Sequence, residues 1–208
     1  MSGEVAFWQG EFGNDYIARN DGAGIEARVA LWSKIMYSCM GPWPETILEI
    51  GAGSGDNLIA LRRVYVECFS HYGENFRLEM SGVEPNAKAR AMLEKSGFKA
   101  FDGTAENPGR TAELAFASGV LIHIPPDELL AACRGIYDAA ERYIVTIEYF
   151  SADPEDKVYR GHSGKLWKRD FGGYWLDNFE LEPLGCGFAW KRMTGLDNVT
   201  WWAFRKCV

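Results

Sequence analysis

The sequence predicts an α/β protein in which helices cover both faces of a doubly wound, mostly parallel sheet with an antiparallel pair of strands at its C-terminal edge. Three observations predict this fold. Short apolar segments and amphipathic segments alternate five times between residues 46 and 149, at the spacing of βαβ units. A glycine-rich segment follows the first apolar run. After residue 150 the alternation ends.

Two helices are expected ahead of the sheet, at residues 4–20 and 25–40. The predicted parallel strands are short apolar runs: Thr46–Ile50, Leu78–Val83, Lys99–Phe101, Leu114–Ser118 and Tyr143–Tyr149. The predicted helices between them carry apolar residues at nearly helical period: Asp56–Phe69, Asn86–Ser96 and Pro126–Ala140. Beyond them the sequence predicts a loop at 151–169, a short helix at Asp170–Asn178, and an antiparallel pair formed by Phe188–Lys191 and Thr200–Arg205.

The length of 208 residues favours one domain. Within it we expect a helical lid at residues 1–40, a cofactor-binding core at 45–150, and a substrate-capping segment with the sheet edge at 151–208. The formal net charge of −7 argues against a nucleic-acid partner. The sequence contains no run of 18 apolar residues, so we expect no membrane span. The N-terminus lacks the basic residues that begin a secretory signal.

The cysteines and histidines point to a cytoplasmic protein without a metal site. Five scattered cysteines, with no C-x-x-C spacing, are typical of reduced thiols in the cytoplasm. The three histidines lie far apart and show no zinc-ligand spacing. The sequence does not predict an oligomeric state.

The segment Glu49–Gly55 (EIGAGSG) lies between the first predicted strand and the helix that follows it. Glycines there allow a sharp turn and a close approach to a ligand, and the next helix offers unpaired N–H groups. The pattern is G-x-G-x-G after an acidic residue, with Asp56 where a dinucleotide fingerprint has its third glycine. It resembles motif I of class I S-adenosylmethionine (SAM)-dependent methyltransferases, which have a Rossmann-like fold. A nicotinamide-dependent short-chain dehydrogenase is the alternative, but no tyrosine here has a lysine four residues later.

Two further elements fit the same resemblance. Glu84 ends the second predicted strand, where a carboxylate can accept two hydrogen bonds from a ribose diol. The segment Asp102–Thr104 follows the third strand, where this fold contacts adenine. The resemblance implies SAM as cofactor and S-adenosylhomocysteine (SAH) as product. The expected cofactor contacts are Trp8, Tyr16, Arg19, Glu49, Gly51, Ala52, Gly53, Asn57, Glu84, Pro85, Asp102, Gly103, Thr104, Ser118 and Leu121.

Several segments resemble a narrower family, the pseudaminic acid biosynthesis-associated methylases. They are residues 7–20 (FWQGEFGNDYIARN), 119–124 (GVLIHI), 148–150 (EYF), 159–162 (YRGH) and 165–171 (KLWKRDF). The resemblance implies methyl transfer in a modified-sugar context. The chain departs from the usual pattern at Glu113, where aspartate is commoner, and through the insert Tyr72–Arg77.

Two residues are candidates for catalysis at the carboxyl ends of the strands. His123 follows the fourth predicted strand and could act as a general base, because the ordinary pKa of imidazole lies near neutrality. The alternative is that it packs beneath the cofactor. Glu148 ends the fifth strand and could pair with an acceptor amine or hydroxyl, or form a structural ion pair with an arginine.

A run of cations follows the fifth strand. Residues 157–169 hold Lys157, Arg160, Lys165, Lys168 and Arg169, with His162 among them and no acidic residue. This run predicts a site for a phosphate or carboxylate, with Arg160 as the bidentate ligand and His162 or Lys165 assisting, although a solvated loop is the alternative. The expected function is therefore methyl transfer to a hydroxyl or amino group of a small anionic metabolite, such as a modified sugar or sugar nucleotide. The alternatives are methylation of a natural-product or peptide amine, and SAM binding without catalysis.

Overall fold

The structure, a computed structural model, describes residues 3–20, 24–69 and 77–207, without the side chains of residues 3–4 and 17–20. Its strands are β1 (Thr46–Ile50), β2 (Glu79–Val83), β3 (Lys99–Phe101), β4 (Ala112–Ser118), β5 (Ala140–Glu148), β6 (Glu155–Asp156), β7 (Trp167–Lys168), β8 (Leu181–Ala189) and β9 (Val199–Lys206). Its α-helices are α1 (Gly3–Gln9), α2 (Glu11–Asn20), α3 (Ile25–Cys39), α4 (Asp56–Phe69), α5 (Ala87–Lys95), α6 (Leu129–Ala139), α7 (Phe171–Asn178) and α8 (Lys191–Thr194).

Seven strands form one mixed sheet in the order β3-β2-β1-β4-β5-β9-β8. The first five are parallel, β9 is antiparallel to β5, and β8 is antiparallel to β9. Strands β6 and β7 form a separate short hairpin. The predicted doubly wound sheet with an antiparallel edge is therefore confirmed.

The core lies in two layers, one on each face of the sheet. Adjacent residues of β1 serve opposite layers, as the two-residue period of a strand requires: Ile47 packs with α3 and α4, and Leu48 packs with α6 and α7. Because both faces are covered, the central strands are almost continuously apolar. This burial explains why their sequences could be recognised as strands.

The C-terminal edge differs from the prediction in its bounds. Strand β8 begins at Leu181, and Lys191 belongs to α8, whereas the sequence predicted a strand at Phe188–Lys191. The predicted loop at 151–169 contains the β6–β7 hairpin. Helix α6 begins at Leu129 because residues 126–128 form a turn, in which the Glu128 N–H donates to the Pro125 carbonyl at 3.0 Å.

The described residues include neither a membrane-spanning helix nor a cluster of metal-binding side chains. None of their helices is both long and apolar enough to cross a membrane. They also contain no group of three or more histidine, cysteine, aspartate or glutamate side chains that could hold a metal ion.

Helix α6 packs directly on the segment that follows β3, and Gly135 makes this contact possible. A Cβ atom at Gly135 would lie 2.6 Å from the Glu106 carbonyl oxygen and closer still to that of Ala105. We expect Gly135→Ala to lower the free energy of unfolding by about 2 kcal/mol or more, because overpacking outweighs the gain in helix propensity. Chemical denaturation measures the change.

The matched control for this substitution is Ala131→Gly, at an exposed position of the same helix. It should cost about 1 kcal/mol, the intrinsic penalty of glycine in a helix. A more stable Gly135→Ala variant would show that α6 does not press on residues 105–106.

Candidate functional site

Two adjoining cavities lie at the edge of the sheet where the parallel strands end. The first reaches the segments after β2 and β3, and the second reaches the segment after β5, the tip of the β6–β7 hairpin and the β8–β9 connection. Both are lined by Tyr16, Gly51, Gly53, Ser118, Gly119 and His123. Ligands of open α/β sheets bind at this edge.

The glycine loop between β1 and α4 forms the floor shared by both cavities. Gly51 and Gly53 have φ angles of 71° and 53°, a region that favours glycine. A Cβ at Gly51 would lie 2.5 Å from Val120 Cγ2, whereas a Cβ at Gly53 would meet no atom within 4 Å. The loop therefore turns tightly at Gly51 and leaves open space above Gly53.

Glu84, at the end of β2, is buried against this loop. The Gly53 N–H donates to Glu84 Oε2 at 2.9 Å, and the Asn86 N–H donates to Oε1 at 2.8 Å. Burial raises the pKa of Glu84, and the two N–H donors act in the opposite direction. Each carboxylate oxygen has a second lone pair, so the group can still accept hydrogen bonds from a ligand in the first cavity.

Glu49, at the end of β1, belongs to a buried polar network beneath the second cavity. Asn57 Nδ2 donates to Glu49 Oε1 at 2.8 Å, while Asn57 Oδ1 accepts from Arg28 Nη1 and Trp32 Nε1 at 3.2 and 3.3 Å. Glu49 Oε2 and Arg28 Nε are buried without a partner among the described residues. Burial raises the pKa of Glu49 to about 8. One acceptor and one donor are thus available to a ligand.

His123 ends the 3₁₀ turn Leu121–His123 that follows β4, and it lines both cavities. Its Nδ1 lies 2.6 Å from the Lys165 carbonyl oxygen, which can only accept, so Nδ1 carries the proton and Nε2 keeps its lone pair. Burial lowers the pKa of His123 to about 4. The imidazole is therefore neutral near pH 7, and its ring is held between Trp8 and Tyr159, at centroid distances of 4.7 and 5.0 Å.

Glu148 reaches the second cavity but is occupied by the backbone. Its side chain is fully buried and accepts hydrogen bonds from the N–H groups of Val120, Leu121 and Ile122 at 3.1, 3.0 and 3.3 Å. Burial raises its pKa to about 8, against the effect of the three donors. Glu148 therefore supports the turn that carries His123, and the described residues show no ion pair between Glu148 and an arginine. Its pairing with an acceptor amine or hydroxyl stays a prediction.

The N-terminal helices cover the cavities with aromatic side chains. Trp8 and Tyr16 line the first cavity and contact each other at a centroid distance of 5.4 Å. Asn86 Nδ2 donates to the Trp8 carbonyl at 2.9 Å and to Asn14 Oδ1 at 3.1 Å, which ties α1 and α2 to the start of α5. The side chain of Arg19 lies outside the part of the chain that the structure describes.

The remaining cofactor residues predicted from the sequence divide into two groups. Ala52, Pro85 and Thr104 line the cavities. Asp102, Gly103 and Leu121 do not: Asp102 is exposed and pairs with Arg90 at 2.9 Å, and Leu121 is fully buried. At this end the first cavity is lined instead by Glu106 and Glu128, which sequence reasoning missed.

Only Arg160 of the five cations in residues 157–169 lines a cavity. Lys157 pairs with Glu155 at 2.9 Å, and the Lys165 and Lys168 ammonium groups lie over the rings of Phe7 and Tyr149. The His162 ring packs on Phe7 and Phe12 and is not part of either cavity lining. The other four cations of this run therefore do not line these two cavities, and the predicted anion site, which stays a prediction, would rest on Arg160.

The second cavity is also lined by polar side chains that the sequence did not assign to the site, among them Arg28, Tyr159 and Asp197. The Tyr149 hydroxyl donates to Asp197 Oδ2 at 2.9 Å, and Lys191 Nζ lies 2.9 Å from Asp197 Oδ1. Asp197 comes from the β8–β9 connection, far from the glycine loop in sequence. No spacing rule could have brought it to the site.

Comparison with solved structures identifies the fold. The chain superposes on the SAM-bound magnesium protoporphyrin IX methyltransferase of Synechocystis PCC 6803 with a TM-score of 0.67 and 10% identity, covering 100% of this chain and 99% of that one. The 1,6-didemethyltoxoflavin-N1-methyltransferase of Burkholderia thailandensis superposes with a TM-score of 0.67 and 14% identity, covering 98% of this chain and 87% of that one. A SAM-dependent methyltransferase of Leishmania major superposes with a TM-score of 0.69 and 14% identity, covering 97% of this chain and 81% of that one.

The fold is that of the class I SAM-dependent methyltransferases. No family model matches the chain, and no curated protein matches it in sequence. The narrower resemblance to the pseudaminic acid-associated methylases therefore stays a prediction, as do the roles of the individual site residues.

The raised pKa of Glu49 makes stability depend on pH in a defined direction. A carboxyl whose pKa is raised by folding favours the folded state at low pH, and this contribution is lost as pH rises from about 4.5 to about 8. Without ligand, we expect Glu49 and Glu148 each to lower the free energy of unfolding by up to ~1.4 kcal/mol per pH unit across this range. Glu49→Gln should remove the contribution of Glu49 to the pH dependence of the free energy of unfolding. The contribution of Glu148 should remain.

Denaturant titrations at several pH values test this expectation. Glu45→Gln is the control, because Glu45 is exposed and lies immediately before the same strand. Equal slopes in the wild type and in Glu49→Gln would show that folding does not raise the pKa of Glu49.

Proposed function

We propose that this protein is a SAM-dependent methyltransferase that acts on a hydroxyl or amino group of a small anionic metabolite, with a modified sugar or sugar nucleotide as the preferred class. The observation that carries the proposal is the pair of buried, unpartnered atoms Glu49 Oε2 and Arg28 Nε beside the glycine loop. The amino-acid end of SAM carries one ammonium and one carboxylate, which would satisfy both.

The other contacts of SAM follow from the same alignment. The ribose diol would donate to the free lone pairs of Glu84, and the space above Gly53 would admit the backbone of the ligand. The adenine would lie between Val120 and the segment 104–106 in the first cavity. SAM supplies an activated methyl group, so the protein has only to align the acceptor, exclude water and receive a proton.

The second cavity supports catalysis over binding alone, because it extends beyond the methionine end toward His123, Tyr159 and Arg160. His123 is neutral and presents Nε2 as a hydrogen-bond acceptor, so it can orient an acceptor hydroxyl or amine and take its proton as the methyl group moves. Because the pKa of His123 is low, proton transfer from the acceptor to Nε2 is favourable only late in the methyl transfer. Trp8 and Tyr16 would exclude water from above.

Arg160 is the basis for proposing an anionic acceptor. It is the one residue other than glycine with a positive φ, 51°, among the described residues, and it occupies the tip of a two-residue turn closed by Tyr159 and His162. Asparagine or glycine suits such a position better than arginine. A left-handed backbone at arginine costs conformational free energy, so its presence beside a cavity indicates a function. The guanidinium group is well suited to bidentate binding of a carboxylate or phosphate.

The similar structures do not select the acceptor. The enzymes from Synechocystis and Burkholderia are named for magnesium protoporphyrin IX and 1,6-didemethyltoxoflavin, which are chemically unlike each other. The sugar class rests on the sequence resemblance and on Arg160. The five free cysteines fit a cytoplasmic location.

Replacing Glu84 by alanine tests the cofactor assignment. Glu84→Ala should weaken SAM and SAH binding by roughly 1.5–3 kcal/mol, the range for a hydrogen bond to a charged group. Isothermal titration calorimetry measures it, with Glu79→Ala, at the exposed start of the same strand, as the control that should bind normally. Unchanged affinity in a folded Glu84→Ala protein, or binding of NAD in place of SAM by the wild type, would contradict the assignment.

Replacing Arg160 by asparagine separates stability from acceptor binding. Because asparagine tolerates the left-handed conformation, we expect Arg160→Asn to raise the free energy of unfolding by up to ~1 kcal/mol. Its KM for the acceptor should rise while SAM affinity stays the same. Labelled SAM with a panel of sugar nucleotides, sugar acids and neutral sugars identifies the acceptor, and preferential methylation of neutral sugars would end the anionic proposal.

A further inference from the structure

Asn86 is a buried residue that connects three helices. Its side chain makes hydrogen bonds in two directions. Oδ1 accepts from the Ala89 N–H at 3.0 Å and so caps the start of α5, which leaves Nδ2 as the donor on the other side. Nδ2 donates to the Trp8 carbonyl at 2.9 Å and to Asn14 Oδ1 at 3.1 Å. Asn86 therefore joins α5 to both N-terminal helices.

The backbone of Asn86 is fixed by the proposed cofactor site. Its N–H donates to Glu84 Oε1 at 2.8 Å, and Glu84 is the carboxylate that we propose holds the ribose. Asn86 also lines the first cavity together with Trp8 and Tyr16. One residue thus contacts the proposed ribose ligand through its main chain and the N-terminal helices through its side chain.

The contact between α2 and Asn86 is close, and Gly13 makes it possible. A Cβ at Gly13 would lie 3.0 Å from Asn86 Nδ2 and 2.7 Å from the carbonyl carbon of Trp8. The Trp8 carbonyl lies in the last turn of α1, where the carbonyls of a helix have no partner within that helix. Asn86 supplies a donor at this point, and the absence of a side chain at Gly13 leaves room for it.

The N-terminal helices also contact the proposed acceptor side. The Trp8 ring packs on the His123 ring at a centroid distance of 4.7 Å. Phe7 and Phe12 pack on the His162 ring at 5.3 and 5.5 Å. A displacement of α1 would remove Trp8 from the face of His123, so the position of the proposed base depends on the docking of these helices.

We propose that Asn86 is a positioning residue that couples occupation of the cofactor site to the docking of α1 and α2. This step rests on the proposed function. A ligand that contacts Glu84, Trp8 and Tyr16 together binds the docked helices better than displaced ones, and it therefore shifts the population toward the docked state. SAM would then also hold Trp8 against His123, so that the proposed base is in place when the acceptor binds.

The test is hydrogen exchange of the backbone amides of residues 5–16 in the full chain, with and without SAH. The Gly10 and Asn14 amides donate to the Ala6 and Gly10 carbonyls at 3.1 and 3.2 Å, so their protection reports on the two helices. SAH should slow exchange in this segment of the wild type, because it favours the docked state. Calorimetry on the same preparations measures the affinity for SAH.

Replacing Asn86 by serine removes the Nδ2 donor but keeps an oxygen that can cap α5. Without SAH, Asn86→Ser should speed exchange of residues 5–16 about tenfold, the effect of losing one or two hydrogen bonds. SAH affinity should fall by up to the same factor, because a smaller fraction of the protein is then docked. Saturating SAH should restore part of the protection, which a purely structural role of Asn86 would not produce.

Two further variants are matched to Asn86→Ser. Gly13→Ala places a methyl group against Asn86 Nδ2 and leaves the cap of α5 unchanged, so it should also speed exchange although alanine favours a helix. It keeps the proposal testable if Asn86→Ser does not fold. Asp15→Asn alters an exposed side chain of the same helix and should leave exchange and SAH affinity within about twofold of the wild type.

Three results would overturn the coupling and leave the methyltransferase proposal intact. The first is SAH binding by the wild type without slower exchange of residues 5–16. The second is weaker SAH binding in Asn86→Ser with unchanged exchange, because Asn86 would then act through Glu84 alone. The third is an equal effect in Asp15→Asn. Absence of SAM and SAH binding by the wild type would remove the proposed function and the coupling together.

Discussion

The backbone N–H groups that leave the sheet at its carboxyl edge need partners, and buried carboxylates provide them. Glu84 accepts from Gly53 and Asn86, and Glu148 accepts from three successive residues after β4. Without these acceptors the glycine loop and the 3₁₀ turn would bury unsatisfied donors, each costing about 1–3 kcal/mol. The conformation of the cavity floor, and with it the place of His123, depends on this pairing.

The same carboxylates are costly to bury, and that cost suits a site for a cationic ligand. Burial raises the pKa of Glu49, Glu84 and Glu148, because removal from water penalises the ionised form. Glu49 in addition retains an oxygen without a partner among the described residues. A ligand that brings an ammonium group offsets part of the cost, so binding energy and the stability of the empty protein are opposed at this residue.

The sequence was informative where burial or backbone geometry restricts residue choice locally. The five parallel strands were recognisable because both faces are covered, and the Glu49–Gly55 loop was recognisable because tight turns need glycine. Strand β8 was shortened in the prediction because Pro183, Gly185 and Gly187 have low strand propensity. At Gly187 the missing side chain is a packing requirement, since a Cβ would lie 2.7 Å from Trp201 Nε1.

Sequence reasoning failed where side-chain partners come from distant segments. The prediction of an anion site at residues 157–169 rested on their charge alone. In the fold of the β6–β7 hairpin, Lys157 forms an ion pair with Glu155 and Lys168 lies over the ring of Tyr149. Asp102 follows the expected strand, yet Arg90 from the helix before that strand draws it away from the cavity. Such choices depend on competing contacts that a spacing pattern does not contain.

The two sides of the site differ in how they are built, and this difference bears on their evolution. The cofactor side is formed by consecutive strand ends and depends on backbone hydrogen bonds to buried acids, so most substitutions there disturb the floor. The side that we propose for the acceptor is formed by side chains from three segments outside the strands: Tyr149, Arg160 and Asp197. Loop tips tolerate change far better than buried strand ends. If the proposed division of the site is right, substitutions on the acceptor side can change acceptor specificity while the cofactor side, and with it the fold, is preserved.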